Sequence, residues 1–475
     1  MRRAKIVATL GPATDTEEVI SRLITAGMNV ARLNMSHSDV SEHLKRLNLV
    51  RSVSAKLNKP VAVLADLQGP KIRIGKFKNG RELLNEGAKF SITTKKVEGD
   101  QNIVSTSYLG LVNDVSIGDE ILIDDGRIKL VVKNSSADTL ECEVIEGGQI
   151  SDNKGLNLPG VMVSVPALSE KDELDLRWAL ENQVDWIALS FVRNAADISR
   201  VHEIMKEMEY QIPTIAKIEK PQAVENLDEI LDKFDGIMIA RGDLGVELPL
   251  EMVPLVQKDA ITRARNAGKP VIVATQMLES MINASRPTRA EASDVANAIL
   301  DGADALMLSG ETSVGANPAL VVATMAKVIE HVEQRALDKL IKLAPQNRVS
   351  VARALTASAI QVGEFIGAKY LIAFSETGRS ARLMARHRSQ IPILTYTPLP
   401  KVLRQLSLIW GVTPYLVGEV HHTDEMVDQV DSDLLAHGLA QQGELVVIVA
   451  GVPPGIPGTT NGMRVHKVGF GSKES

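Results

Sequence analysis

The sequence predicts an α/β protein: a TIM (β/α)8 barrel that carries an inserted small all-β lid domain and is followed by a separate C-terminal α/β domain. Three observations predict it. Eight short apolar runs recur with helical stretches between them, the rhythm breaks once into plain alternation, and a second strand–helix series begins after about Leu343. A chain of 475 residues has room for about two to four domains.

The eight runs are Lys5–Leu10, Asn29–Asn34, Val61–Leu67, Trp186–Phe191, Thr214–Glu219, Gly236–Ala240, Val271–Gln276 and Ala305–Ser309. Short runs this rich in apolar residues are expected where other structure covers both faces of a parallel sheet. Helical stretches such as Thr16–Ala26, Pro249–Ala267 and Glu291–Leu300 lie between them. Eight strand–helix units favour a closed barrel over an open doubly wound sheet, and the barrel is assigned residues 1–69 and 167–343. From Pro70 to about Val165 the helical period disappears, and alternating segments replace it at Lys89–Thr94, Glu120–Ile123, Lys129–Lys133 and Thr139–Ile145. Turn signals punctuate them at Lys78-Asn-Gly80, Asp124-Asp-Gly126, Gly147-Gly148 and Pro159-Gly160. This β-domain, residues 70–166, leaves the barrel after its third strand and would lie over the C-terminal face as a lid. The remainder, 344–475, carries a helix near Ala352–Ile366, a strand at Tyr370–Ser375, a helix after Gly378, and strands at Ile393–Tyr396 and Glu444–Ala450.

Composition narrows the function classes. Hydrophobic residues are 44% and charged residues 24%, ordinary for a globular protein, and the formal net charge is -6 with both signs interspersed. That balance, with only 3% aromatics, argues against a nucleic-acid surface. No apolar run is long enough to span a bilayer, and the N-terminus runs straight into a strand pattern without the apolar core of a signal peptide. The single cysteine, Cys142, cannot form an intrachain disulfide, and it sits in an alternating run that reads as strand packing rather than a nucleophile. A cytoplasmic location is expected.

In a TIM barrel the active site lies at the strands' C-terminal ends. Those ends read Thr9-Leu-Gly-Pro12, Arg32-Leu-Asn34-Met-Ser36-His37, Asp66-Leu-Gln-Gly69, Lys217-Ile-Glu219, Arg241-Gly-Asp243, Ala274-Thr275-Gln276 and Ser309-Gly-Glu311. Charges commonly terminate strands, and Arg32 or Glu311 alone would be an ordinary rim ion pair. Seven polar ends in agreement outweigh that reading. The fifth and sixth strands bring two carboxylates and a lysine to one rim beside a glycine-rich turn. Two carboxylates can hold Mg²⁺, which prefers oxygen ligands and keeps positions open for substrate oxygens. A lysine beside them is placed to neutralise charge on a phosphoryl group in transfer.

The segments Lys217-Ile-Glu219, Ala240-Arg-Gly-Asp-Leu-Gly-Val-Glu247, Ala274-Thr-Gln-Met-Leu-Glu-Ser280, Arg286-Pro-Thr-Arg-Ala-Glu291 and Met307-Leu-Ser-Gly-Glu-Thr312 closely resemble those of pyruvate kinases. So do Thr9-Leu-Gly-Pro-Ala13, Arg32-Leu-Asn-Met-Ser-His37 and Leu156-Asn-Leu-Pro-Gly160, and the resemblance, to the bacterial type, covers almost the whole chain. It implies transfer of the phosphoryl group of phosphoenolpyruvate to ADP, giving pyruvate and ATP, the final step of glycolysis. It implies that Glu219 and Asp243 hold Mg²⁺ (or Mn²⁺), that Lys217 stabilises the moving phosphoryl group and the enolate oxygen, and that Arg32 binds phosphoryl oxygens. The backbone N–H groups of Gly242 and Asp243 would take the substrate carboxylate at a helix N-terminus, and Thr275 would help protonate the enol. Asn34, His37, Arg73 and Lys154 are the implied nucleotide contacts, Lys154 arriving on lid closure.

The resemblance also implies a monovalent-cation site built from Asn34, Ser36, Asp66 and the backbone oxygen of Leu67. Members that require K⁺ usually carry Glu where this chain has Lys71, and a lysine ammonium can supply the missing charge, so K⁺ is expected not to be required. In the C-terminal domain, Ser375-Glu-Thr377-Gly378-Arg379-Ser380 sets hydroxyls, a glycine and an arginine at a helix start, a phosphate cradle. The family places an allosteric phosphate there, and the late loop Pro453-Pro-Gly-Ile-Pro-Gly-Thr-Thr-Asn461 would complete the pocket. With no clear second arginine-bearing element, a sugar monophosphate or nucleoside monophosphate is expected ahead of fructose 1,6-bisphosphate. A homotetramer is implied by the resemblance alone. The rival readings are a Mg²⁺-dependent barrel lyase or aldolase acting on pyruvate or phosphoenolpyruvate, which needs neither Lys154 nor a lid, and a silent sugar-phosphate sensor, which need not keep Arg32, Lys217, Glu219, Asp243 and Thr275 together.

Overall fold

The computed structural model describes residues 2–340, 343, 349–456 and 458–471. Ala344, where the C-terminal domain was expected to start, and Pro457 of the late loop lie outside the described residues.

The eight apolar runs form one closed barrel of parallel strands in chain order around the ring: Lys5–Thr9, Val30–Asn34, Ala62–Asp66, Trp186–Leu189, Thr214–Ile218, Gly236–Ala240, Val271–Ala274 and Ala305–Leu308. Almost every strand residue is buried, because side chains fill the interior and helices cover the outside. The register sets polar strand ends side by side, Thr9 opposite Arg32 and Asn34 opposite Asp66, and aligns the ends of the sixth and seventh strands, Ala240 opposite Ala274. Local chemistry fixes the outer helices. The helix Glu17–Ala26 is capped by Thr16, which accepts from the Val19 N–H. The helix Arg289–Asp301 opens on a reciprocal Thr288–Glu291 capping box and stops at Gly302, whose φ of 101° suits a residue without a Cβ.

After the third barrel strand the chain builds β-structure with its own core, in which Phe90, Ile92, Ile121, Leu130 and Cys142 are packed together. Six strands form one sheet and two more form a small ribbon. Asp124, Asp125 and Gly126 all take positive φ, the tight turn the Asp-Asp-Gly sequence announced. Cys142 is buried in the strand Thr139–Glu146, and burial pushes its thiol up to about 12.

The C-terminal region is a five-stranded sheet in the order Val412–Leu416, Ile393–Thr397, Tyr370–Phe374, Leu445–Gly451 and Thr460–Lys467, the last antiparallel to its neighbour. It packs on the N-terminal end of the barrel. Lys5 Nζ at the start of the first strand donates to Val412 O (2.7 Å), Trp186 Nε1 at the start of the fourth donates to Gln405 O (3.2 Å), and Arg404 pairs with Asp185 (2.8 Å). Barrel-interior residues Val7, Leu64 and Met238 share one apolar cluster with Leu371, Met384 and Leu406. The C-terminal ends of the barrel strands are therefore left free on the far side. Among the described residues no helix is long and apolar enough to cross a membrane.

Candidate active site

Lys217 is the centre of the site. It projects from the end of the fifth barrel strand, where its ammonium lies 2.8 Å from Glu219 Oε1 and 3.4 Å from Asp66 Oδ1 and donates to Ser190 Oγ (2.7 Å). Arg32, on the second strand, pairs with the other Asp66 oxygen (Nε to Oδ2, 2.7 Å) and donates to Thr9 Oγ1 (3.0 Å). The ends of five strands thus converge on two cations and two carboxylates. Burial opposes charge on Lys217, but Asp66, Glu219 and Asp243 together more than offset it and hold the ammonium well above its ordinary value. Burial likewise opposes charge on Asp66, yet Lys217 and Arg32 keep its carboxyl below the usual range. Glu219 goes the other way: burial and then the Asp243 charge raise it, against the pull of Lys217.

Glu219 spends Oε2 on the Phe191 N–H (2.8 Å), while Oε1 is buried and has no aligned hydrogen-bond donor despite the nearby ammonium. A buried oxygen in that state is a fitting donor to a hard cation. Asp243 belongs to the short helix Arg241–Glu247 that starts as the sixth strand ends. Among the described residues no three His, Cys, Asp or Glu side chains converge as a closed metal cage. A divalent ion held by Glu219 and Asp243 would therefore draw its remaining ligands from water or substrate oxygens, the habit of Mg²⁺.

Thr275 follows the seventh strand at φ 70° and Gln276 at φ 53°. A β-branched residue in the left-handed region costs about 1–3 kcal/mol and persists only where its surroundings hold it. Arg241 does that holding: its guanidinium donates to Thr275 O (2.7 Å) and Ala274 O (3.3 Å) and is anchored by Asp294 (2.7 Å). Thr275 Oγ1 accepts from the Gly242 N–H (2.8 Å), so a carboxylate taking that N–H would displace the hydroxyl. Glu311 turns out to be a backbone clamp, accepting from the Leu278 (3.1 Å) and Ser309 (2.6 Å) N–H groups.

The remaining expected residues fall in three places: the barrel rim, the β-rich insert and the C-terminal domain. Asn34 Oδ1 accepts from the Ser36 N–H (3.2 Å), Leu67 O accepts from Ser190 Oγ (2.7 Å), and His37 is exposed beside them. Lys71 is exposed, its Cε lying against Gly155. Arg73 and Lys154 sit together in the β-rich insert, where Arg73 pairs across a bridge with Gly155, Arg73 Nη1 donates to Asn153 O (2.9 Å), and Lys154 Nζ is tied to Asp124 (2.8 Å). The insert meets the barrel rim where Asn157 Nδ2 donates to Glu247 Oε1 (2.9 Å), and a narrow cavity there is lined by Lys71, Asp125, Lys220 and Asp243. In the C-terminal domain Ser375, Thr377, Arg379 and Ser380 line a cavity of about 240 Å³ with His421 and Thr460, and Gly378 at φ 71° passes close to Leu406.

Two residues at the centre escaped sequence reasoning. Ser190, which orients Lys217, follows the fourth strand, whose end is not among the seven polar ends read from the sequence. Thr9 was seen only as part of a motif, and its contact with Arg32 follows from the register of neighbouring strands.

Carboxylates gathered beside a largely buried lysine and an arginine suit an enzyme that moves phosphoryl groups. Comparison with known proteins is specific about which. The profile of the pyruvate kinase barrel domain matches residues 1–322, and that of the pyruvate kinase alpha/beta domain matches residues 353–466. The chain is 51% identical over 470 residues to a pyruvate kinase of Mycobacterium intracellulare, covering 98% of this chain and 99% of that one. It is 51% identical over 468 residues to that of Corynebacterium efficiens, covering 98% of each. A solved pyruvate kinase from Cryptosporidium parvum superposes with a TM-score of 0.92 at 37% identity, covering 98% of this chain and 96% of that one. The chain belongs to the pyruvate kinase family and is a phosphotransferase.

Proposed function

We propose that this chain transfers the phosphoryl group of phosphoenolpyruvate to ADP at the C-terminal ends of its barrel strands. The observation that carries the reading is Lys217, a buried ammonium gathered by Asp66, Glu219 and Ser190 beside Arg32. Arg32 and Lys217 grip the phosphoryl oxygens and neutralise the charge that spreads over them as the group moves. The bond between phosphorus and the enol oxygen breaks as one forms to a terminal ADP oxygen, and Lys217 then faces the enolate oxygen left behind. The Gly242 and Asp243 N–H groups hold the substrate carboxylate. Thr275 directs a proton to the methylene carbon, itself or through a water, and ketonisation to pyruvate draws the reaction forward. Mg²⁺ (or Mn²⁺) held by Glu219 and Asp243 would supply positive charge to the substrate's carboxylate and phosphate.

Arg73, His37, Lys154 and Asn34 are assigned to the nucleotide. Lys154, now tied to Asp124, would exchange that partner for a phosphate when residues 70–166 close over residues 1–69 and 167–343, excluding water from the transfer. Lys71 supplies the charge a K⁺ ion would otherwise bring to the Asn34, Ser36, Asp66 and Leu67 site, so K⁺ is not required. The cavity at Ser375–Ser380 receives a phosphorylated activator. Arg379 is the one arginine among its described lining residues, which supports a monophosphate of a sugar or nucleoside over a bisphosphate. The chain works in the cytoplasm as a homotetramer. A coupled assay for pyruvate from phosphoenolpyruvate and ADP with Mg²⁺, run on wild type and Lys217→Met across a panel of sugar phosphates, tests this reading. Turnover that disappears in the variant supports it; no ATP from folded wild type under any effector refutes it.

A further inference from the structure

Two connections join the β-rich insert to the barrel, and one short loop, residues 191–193 after the fourth barrel strand, meets both. The outgoing connection passes through Gly69 at φ 75°, and a Cβ there would come within 2.6 Å of the Phe191 ring. The Gly69 N–H donates to Asp172 Oδ1 (3.1 Å), a buried carboxylate that also forms a capping box with Ser169 at the start of the helix Glu170–Glu181. The returning connection is held by Arg193. Its Nη1 donates to both Val163 O (2.9 Å) and Val165 O (3.1 Å). Residues 161–166 belong to no helix or strand, so these carbonyls depend on donors from outside a ladder. Asp197 in turn fixes Arg193, accepting from its Nη2 (2.9 Å) and its backbone N–H (2.7 Å), and Arg193 O accepts from Asn226 Nδ2 (3.1 Å). The side chains of Arg193 and Asp197 are 20% and 9% exposed, so the pair acts largely away from water.

The same loop fixes a residue of the reaction centre. Phe191 takes a φ of 55°, a left-handed conformation that an aromatic residue keeps only where its surroundings hold it, and its N–H donates to Glu219 Oε2 (2.8 Å). Lys220 Nζ lies 5.6 Å from the centre of the Phe191 ring and pairs with Glu247 (2.5 Å). Glu247 Oε1 also accepts from Asn157 Nδ2 of the insert. The narrow cavity between insert and barrel is bordered by Pro70, Val163, Val165, Phe191 and Arg193 together with Asp243. Two backbone carbonyls gripped by one charged donor make a stronger tie than the single neutral donor that Asn157 offers. The firmest hold on the returning connection is therefore Arg193, two residues from the N–H that holds Glu219.

We propose that Arg193 is a positioning residue for phosphoryl transfer: it holds the returning connection against the loop that holds Glu219, and so sets where the insert sits over the substrate. This rests on the transfer reading above. Arg73 and Lys154 are carried by the insert, whereas Arg32, Lys217, Gly242, Asp243 and Thr275 belong to the barrel. With the Arg193 tie cut, the insert keeps its own core but loses the fixed end about which it turns. Nucleotide phosphates then meet Arg73 and Lys154 over a scattered range of positions, and water reaches the phosphoryl group. Phosphoenolpyruvate, gripped by barrel residues alone, binds as before.

Arg193→Met removes the donors and keeps apolar bulk, and Arg193→Lys keeps the charge without the planar fork. Two measurements on the full-length protein test the role. Hydrogen exchange needs no substrate, so its failure is distinct from failure of the proposed reaction. Amides of residues 156–166 exchange about tenfold faster in Arg193→Met and less than that in Arg193→Lys, while barrel-strand amides keep their wild-type rates. In the steady state, Arg193→Met raises KM for ADP about fivefold or more, leaves KM for phosphoenolpyruvate within about twofold, and releases more inorganic phosphate per ATP formed. Arg193→Lys falls between wild type and Arg193→Met, and it is read alone if Arg193→Met unfolds. Unchanged exchange at residues 156–166 overturns the proposal. So does exchange that quickens equally in insert, barrel and C-terminal domain, which marks a general loss of stability. An unchanged KM for ADP, or equal rises in the two KM values, overturns it as well. Absence of ATP from folded wild type refutes the transfer reading instead, and the exchange rates still decide whether Arg193 holds the insert.

Discussion

Lys5 gives a prediction whose size follows from the structure. It sits at the floor of the barrel, 8% exposed, and among the described residues its ammonium donates to a neutral carbonyl, Val412 O at 2.7 Å. Burial, and then the charge of Arg2, brings the ammonium down from 10.5 to about 7. A base whose folded value is depressed binds its proton more readily when unfolded, so between those two values stability rises with pH; below about 7 both states are charged and the full penalty applies. With a folded value of about 7 and an unfolded one of 10.5, the gain from about pH 7 to about pH 9 comes to about 2 kcal/mol. Lys5→Met removes the titrating group. It also strands the Val412 carbonyl, a loss of about 1–3 kcal/mol that does not vary with pH. The diagnostic is therefore the slope of the difference between wild type and variant. Urea unfolding of both proteins at constant ionic strength across that interval should show wild type gaining on the variant by about 2 kcal/mol. Arg265, which burial pushes down to about 9, is present in both proteins, so its titration cancels from the difference. A difference that stays flat would show that Lys5 keeps its charge inside the fold, and the reasoning would be refuted.

Three further outcomes follow from the site. Lys217→Met should lower kcat by about 10²–10³-fold, the worth of a charge placed at a transition state, while the free protein binds Mn²⁺ at least as tightly as wild type because a cation beside Glu219 is gone; turnover within tenfold of wild type would remove Lys217 from the chemistry. Arg379→Ala should abolish activation by sugar phosphates and leave turnover at saturating phosphoenolpyruvate largely intact, and an unchanged activation curve would rule the Ser375–Ser380 turn out as the effector site. Replacing K⁺ with a bulky organic cation at matched ionic strength should leave activity in place; collapse would show that Lys71 does not substitute for the ion.

The barrel was legible because strands buried on both faces become unbroken apolar runs, and all eight fall where those runs lie. Charged ends such as Lys217-Ile-Glu219 stood out against them. The two edge strands of the C-terminal sheet did not. Val412–Leu416 contains Pro414, which an edge tolerates and a central strand does not, and Thr460–Lys467 alternates with exposed polar positions and follows a loop-like sequence. Ser190 was missed for a different reason: an uncharged serine after an apolar run carries no signal until Lys217 is seen to donate to it. The left-handed backbone at Thr275 runs against the residue's own preference and is imposed by Arg241, a tertiary contact. Docking of the C-terminal sheet on the barrel floor rests on backbone acceptors such as Val412 O and Gln405 O, and no side-chain pattern announces those.

The most direct test of the central claim follows phosphorus itself. ³¹P NMR of phosphoenolpyruvate, ADP and Mg²⁺ with purified protein should show the phosphoenolpyruvate resonance replaced by the γ-phosphate of ATP, with little inorganic phosphate, and the conversion should stop when the divalent ion is chelated. Release of inorganic phosphate without ATP, or an unchanged phosphoenolpyruvate signal from folded protein, would contradict phosphoryl transfer at Lys217, Arg32, Glu219 and Asp243.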